Sequence, residues 1–359
     1  MNREDYTGDA MALLERLIAI PSVSRDEGCA ADALSGYMSE RGLSHRRIAN
    51  NIVAVGDDYD EGRPTLLLNA HIDTVKPVAS WTRDPFRPSL EGDRLYGLGS
   101  NDCGGGLVSL LQVYRVLLSS ERTYNIMYVA SAEEEVSGAE GFSRVLPSLP
   151  RVDVAIVGEP TGMQPAIAER GLMVIDGTAH GTAGHAARDE GVNAINAALD
   201  DLLWLRDYRF ERVSPLLGAV KMSVTVINAG TQHNVVPDVC RFVVDVRTNE
   251  LYSNQEVFDT IRQNVASEVK ARSFRLNSSH IAPDHPLVQR MTAMGMQPFG
   301  SPTLSDQALM PFPSVKLGPG ESSRSHSADE YICISEITDA IDKYLHLLTT
   351  LPADMPTSV

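Results

Sequence analysis

Two histidines and several carboxylates in this chain stand where apolar stretches end, and these are the residue types that hold a divalent cation or move a proton. Leu66-Leu67-Leu68-Asn69-Ala70-His71-Ile72-Asp73 is an apolar strand that delivers His71 and Asp73 at its C-terminal end. Ligands of open α/β sheets collect at that edge, and an i, i+2 spacing sends both side chains to one side of an extended chain. Alone, the pair reads equally well as a polar cap on a strand. Gly97-Leu98-Gly99-Ser100-Asn101-Asp102-Cys103-Gly104-Gly105-Gly106 packs five glycines into ten residues. Such a loop lets backbone pass close to a neighbour before a helix begins. Asp102 stands at the entry to that helix, where an N-cap aspartate is the simpler reading, and Cys103 reads as packing. Tyr128-Val129-Ala130-Ser131-Ala132-Glu133-Glu134-Glu135 ends another strand in three carboxylates, which repel one another unless something positive sits nearby. Ala155-Ile156-Val157-Gly158-Glu159 repeats the pattern, and Ser325-His326-Ser327-Ala328-Asp329-Glu330 follows a Gly-Pro-Gly turn late in the chain.

Taken singly, a solvated glutamate run or a structural histidine would account for most of these. Taken together they place two histidines and three or four carboxylates at the ends of elements of one domain. Nitrogen and oxygen donors suit zinc, cobalt or manganese. Five such side chains can hold two ions if one carboxylate bridges, and a two-metal site activates water and polarises a scissile carbonyl.

The elements that must position these residues follow from periodicity. Helices are predicted over residues 9–20, closed by Pro21, and 29–41, stopped by Gly42. Strand-like runs rich in Val, Ile and Leu lie at 51–55, 65–69, 125–130 and 152–157, with helical stretches at 105–119 and 138–146 between them. That order predicts a mostly parallel sheet covered by helices. Residues 171–278 have a rhythm of their own: strand 172–179, helix 190–206, strands 220–228 and 240–246, helix 254–270, strand 273–276. This β-α-β-β-α-β order is ferredoxin-like. The predicted class is therefore α/β, with a catalytic domain over 1–170 and 279–359 and an inserted α+β domain over 171–278. The tail after Leu351 reads as frayed.

Composition bounds the partners. The formal net charge is −16, from 47 acidic and 31 basic residues, which argues against nucleic acid and against an anionic membrane surface. Cys29, Cys103, Cys240 and Cys333 form no CxxC pair and read as free thiols of a reducing compartment. Neither a signal peptide after Met1 nor an apolar run of membrane length is visible, so the expected location is cytoplasmic.

With these motifs in order, the chain resembles the acetylornithine deacetylase / succinyl-diaminopimelate desuccinylase family of di-zinc, metallopeptidase-like amidohydrolases, from the first helix through the His326 segment. The resemblance implies a zinc-peptidase-like catalytic domain and an inserted lid and dimerisation domain, and so a homodimer. It implies two divalent ions, zinc or cobalt, with His71 and Glu159 on the first, His326 on the second, Asp102 bridging and Glu135 a further ligand. Asp73 would orient His71, and Glu134 would be the general base, with Glu133 standing where the family has aspartate. In the inserted domain Gly181-Thr182-Ala183-Gly184-His185 matches a segment whose histidine reaches the partner's active site. Asn234 matches a substrate contact, and Arg247 an arginine that grips the substrate carboxylate; alone, Arg247 reads as a surface ion pair. The implied reaction removes an N-acyl group from a small amino acid, N-acetylornithine first. N-succinylornithine, N-acetylcitrulline and succinyl-diaminopimelate are alternative substrates, and a dipeptidase or carboxypeptidase an alternative activity.

Overall fold

A computed structural model describes residues 3–188 and 190–349; the tail after Leu351 lies outside them. The chain divides into two compact units: 1–167 with 281–299 and 305–359, and 168–280 with 300–304.

The first unit is built on a mainly parallel sheet. Its central strand, Thr65–His71, lies between Asn125–Ser131 and Val154–Val157, parallel to both. Ser314–Lys316 extends the parallel set beyond Val154–Val157, while Asn51–Val55 pairs antiparallel on the other side. All seven residues of Thr65–His71 and of Asn125–Ser131 are buried, as expected of strands covered on both faces and so apolar without alternation. Leu67, Met127, Val129, Ala155 and Val157 face one layer with Phe142 and Val145. Helix Gly105–Leu118 packs against the strands and also against helices Arg3–Ile18 and Ile334–Leu348. It buries Leu107, Val108, Leu110, Leu111, Val113, Tyr114 and Leu117, an apolar surface too wide for a one-sided helix.

In the second unit Lys221–Ala229, Val239–Arg247, Met173–His180 and Glu268–Ala271 lie side by side in that order, all antiparallel. With helices Ala194–Asp207 and Asn254–Asn264 this is the ferredoxin-like arrangement. Met173, Ile175, Phe242, Val244, Val246, Val257 and Ile261 make its core.

Several element bounds differ from the periodicity. The first helix reaches back to Arg3. The stretch 138–146 yields only the single turn Phe142–Val145, since Gly138 and Gly141 precede it and Pro147 follows. Helix 190–206 begins instead at Ala194, where the Asn193 side chain accepts from the N–H of Ile195 at 2.9 Å. The helix placed at 254–270 stops at Asn264. Beyond it the carboxylate of Asp201 accepts from the N–H groups of Ala266 and Ser267 at 2.9 and 2.8 Å. The last strand is therefore Glu268–Ala271, not 273–276. A three-stranded sheet of Ser89–Glu91, Arg94–Tyr96 and Tyr331–Cys333 has no counterpart in the periodic reading.

Candidate metal centre and active site

Each ligand-type residue reaches the strand ends by its own backbone device. Thr65–His71 presents His71 at its last position. The next turn brings back Asp73, whose backbone carbonyl accepts from His71 Nδ1 at 2.8 Å. That bond commits Nδ1 as donor and turns Nε2 toward the carboxylates. Asp73 also accepts, through its side chain, the N–H groups of Glu134 and Glu135 at 3.0 and 3.2 Å and the hydroxyl of Ser24 at 2.6 Å. One buried carboxylate thus ties the His71 strand to the glutamate turn. Its hold on His71 runs through the main chain; its carboxylate Oδ1 lies 3.6 Å from Nδ1.

The glycines fit close approaches. A Cβ on Gly106 would lie 1.6 Å from the carbonyl oxygen of Gly158, so only glycine lets the start of helix Gly105–Leu118 abut the segment that carries Glu159. Gly99 has φ +74°, and a Cβ there would meet Thr74 at 2.6 Å. Between them Asp102 projects into the centre. Its Oδ1 stands 3.2 Å from His71 Nε2 and its Oδ2 3.6 Å from His326 Nε2. Glu159 Oε1 is 3.6 Å from His71 Nε2, and Glu135 Oε2 is 2.9 Å from His326 Nε2. Two histidine–carboxylate pairs therefore flank one aspartate, each facing a different oxygen of it. Glu133 turns away, its carboxylate accepting from the N–H of Glu140 at 3.4 Å, while Glu134 is half-buried among the acids.

Electrostatics reflect this crowding. Burial, then the charge of Glu159, raises the Glu134 carboxyl well above its usual range; Asp306 and Glu135 add to it and His71 opposes. Burial and Asp102 push Glu159 up to about 8, against His71 and Lys316. The hydrogen bond with Glu135 lifts His326 to about 9. At His71 burial opposes the charge, but Cys103, Asp102 and Glu159 outweigh it and hold the imidazole well above its ordinary value. Asp102 is depressed: burial would raise it, and the hydrogen bond with His71 prevails. The carboxylate excess draws positive charge into the centre. His71, Asp102 and Glu135 offer one ligand atom each within 4.8 Å of one another. This donor set fits divalent ions with nitrogen and oxygen ligands.

Three features escaped the motif reading. Cys103 Sγ accepts from the N–H of His71 at 3.2 Å, and with His71 and Glu159 it forms a second group of ligand-type atoms. Asp306, 3% exposed, accepts from Ser131 Oγ at 2.5 Å at the end of the strand leading to Glu134, and burial raises it to about 7. It is a single acid in an otherwise bland Ser305-Asp306-Gln307 stretch, with no spacing to mark it. Glu330 accepts three backbone N–H groups around Asp102. It lies within the His326 motif, where nothing in its type or spacing marks this task.

The three residues of the inserted segment lie in the second unit. His185 and Asn234 are neighbours there: Gly184–His185 pairs with Val235–Val236, and the N–H of Ala186 donates to Asn234 O at 3.1 Å. His185 is exposed, and its Nδ1 accepts from the N–H of Ala187 at 3.2 Å, which leaves the ring proton on Nε2. Arg247 ends Val239–Arg247 and pairs with Asp245 at 2.8 Å.

Residues 67–350 match the family described as Peptidase family M20/M25/M40. The chain belongs to this family. It is a metal-dependent amidohydrolase of the M20 fold. Acetylornithine deacetylase of Edwardsiella ictaluri is 29% identical, over 95% of this chain and 96% of that protein. A tripeptidase structure from Staphylococcus aureus superposes with a TM-score of 0.75 at 19% identity, covering 96% of this chain and 98% of its own. A dinuclear metal-binding M20 peptidase of Bacillus subtilis gives a TM-score of 0.74 at 17% identity, over 99% and 100%. At these identities the structural likenesses speak for the M20 fold alone. No helix among the described residues is long and apolar enough to cross a membrane.

Proposed function

We propose that the chain hydrolyses the amide of an N-acyl amino acid, with N-acetylornithine the first candidate, at a centre that binds two divalent ions, zinc or cobalt. The carrying observation is Asp102, whose two carboxylate oxygens face the His71–Glu159 and His326–Glu135 pairs separately. His71, Glu159 and Asp102 would hold the first ion; His326, Glu135 and Asp102 the second. Bound there, the ions supply Lewis acidity toward the acyl carbonyl and toward water. Glu134, held by the Asp73 clamp on its own N–H, takes the proton of the attacking water and returns it to the leaving amine. His185 donates from Nε2 to the developing oxyanion. Asn234 and Arg247 hold the amino-acid part, for which Arg247 exchanges Asp245 for the substrate carboxylate. The acetylornithine choice draws support from the Edwardsiella relative, whose likeness spans almost the whole of both chains.

The proposed active form is a homodimer built through the second unit. Ile195, Leu199 and Leu203 recur every four residues along helix Ala194–Asp207 and are 37%, 47% and 45% exposed. The helix packs beside Lys221–Ala229, an edge strand whose Val226 and Ile227 are 45% and 52% exposed. An unpaired edge strand beside an apolar helix stripe suits a second copy of the same surface across a two-fold axis. His185 then serves the partner's centre, as in the family this chain resembles.

Two experiments test this reading. A panel of N-acetyl and N-succinyl amino acids and dipeptides, assayed for released amine with added zinc or cobalt, should show N-acetylornithine turned over fastest. A dipeptide turned over faster would replace the deacylase reading with a peptidase. Mixing His185→Ala with Glu134→Ala under subunit exchange should restore activity, since one site regains both groups. Exchange confirmed by mass without recovered activity would rule out action in trans.

A further inference from the structure

His326 and Asp329 both adopt left-handed backbone conformations, with φ of 58° and 55°. Non-glycine residues rarely do so, and such geometry persists only where the surroundings over-determine it. Two carboxylates do this here. Asp329 accepts from the N–H groups of Thr82 and Arg83 at 3.0 and 3.1 Å and from Thr82 Oγ1 at 2.5 Å. Glu330, 2% exposed, takes the N–H groups of Asn101 and Asp102 on Oε1 at 2.8 and 2.9 Å and that of Gly99 on Oε2 at 3.1 Å. Its own carbonyl accepts from the N–H of Gly97 at 3.0 Å. Tyr331 then enters a strand paired with Tyr96.

The segment carrying His326 is thus fastened at both of its acids, and one fastening is the main-chain N–H of Asp102 itself. A carboxylate suits the task because both of its oxygens accept. Glutamine at 330 would turn an N–H₂ donor onto one of these N–H groups, and buried donors left facing donors are costly.

We propose that Asp329 and Glu330 form a two-carboxylate clamp that positions His326 against Asp102 and so sets the affinity of the second metal position. The inference rests on the two-metal reading above. Neither residue touches the bound ion; both are positioning residues that act through the loop bearing His326 and the loop bearing Asp102. Partners of this kind, one step removed from the ligands, typically tune metal affinity by 10–100-fold.

The test is calorimetric titration of chelator-stripped protein with zinc. Wild type should take two ions, and His326→Ala identifies the second position as the one it loses. Asp329→Ala and Glu330→Gln should weaken that same ion by about tenfold or more. Asp329→Ala should leave the other ion within about threefold, since its bonds stop at residues 82 and 83. If Glu330→Gln does not fold, judged by circular dichroism, Asp329→Ala carries the test under the same criterion. Both ions held within threefold of wild type in the folded variants would overturn the clamp while leaving the two-metal reading intact. So would weakening confined to the ion that His326→Ala keeps. Wild type that binds fewer than two ions would overturn the two-metal reading, and the clamp with it.

Discussion

The first unit gathers histidines and carboxylates at buried strand ends, whereas the second, over its own apolar core, leaves a row of apolar side chains uncovered. Asp73, Glu159 and Glu330 lie in the interior of the first unit, each fixed by hydrogen bonds or histidine contacts at strand ends. The second unit keeps pairs such as Arg272–Asp176 at its surface and exposes Leu199, Leu203, Val226 and Ile227. Burying charge is costly unless something compensates it, and exposing an apolar stripe is a cost unless something covers it. On the reading proposed above, the first region is organised around a cation and the second around another copy of the chain. The contrast assigns metal binding and assembly to different units, and it can be broken on either side.

The largest expected effect lies in the buried region. Glu134→Ala should keep its metal by elemental analysis and lose about 10²–10⁴-fold in kcat. A variant within tenfold of wild type would move the base elsewhere. On the exposed side, Leu199→Glu with Leu203→Glu should convert the dimer to a monomer by light scattering at micromolar concentration, with the fold retained. A dimeric double variant, or an active wild type of strictly monomeric mass, would remove the apolar stripe from the interface.

A third effect links charge to stability. Glu159 sits at about 8 in the folded chain against 4.5 when unperturbed, so between those values the folded state binds the extra proton. Stability of the metal-free protein therefore falls as pH rises through that window. His326, at about 9 against 6.5, contributes stability fully present below 6.5 and lost as pH rises through about 9. Both signs agree: the Tm of stripped protein should drop from pH 6 to 9. Metal ions replace those protons, so the Tm gained on adding zinc should grow over the same range. A gain that shrinks with pH would contradict this. The smallest effect is expected at Asp176→Asn, whose exposed partner Arg272 lies 2.8 Å away; such pairs contribute about 1 kcal/mol or less. A larger loss in denaturant melts would mean that the second unit also relies on charge.

The fold and the strand-end acids were legible because they follow local rules. The apolar runs at 65–69 and 125–130 mark buried parallel strands, and the glycines at 97–106 mark a loop pressed against its neighbours. What stayed hidden depends on distant partners. Asp306 shows no pattern, since its meaning comes from Ser131, 175 residues earlier. Glu330 likewise acquires its task from the N–H groups of residues 99–102. The end of the helix at Asn264 is set by Asp201 from another helix, which no reading of residues 254–270 contains. Exposure is the other blind spot. Ile195, Leu199 and Leu203 fit a buried helix face by periodicity, and only the packed unit leaves them uncovered.

The most direct measurement is anomalous diffraction from a zinc-soaked crystal of the whole chain. Two zinc peaks should appear, ~3.5–4 Å apart, with Asp102 between them, His71 and Glu159 on one, and His326 and Glu135 on the other. Zinc bound away from Asp102, or Glu133 in place of Glu135, would contradict the account.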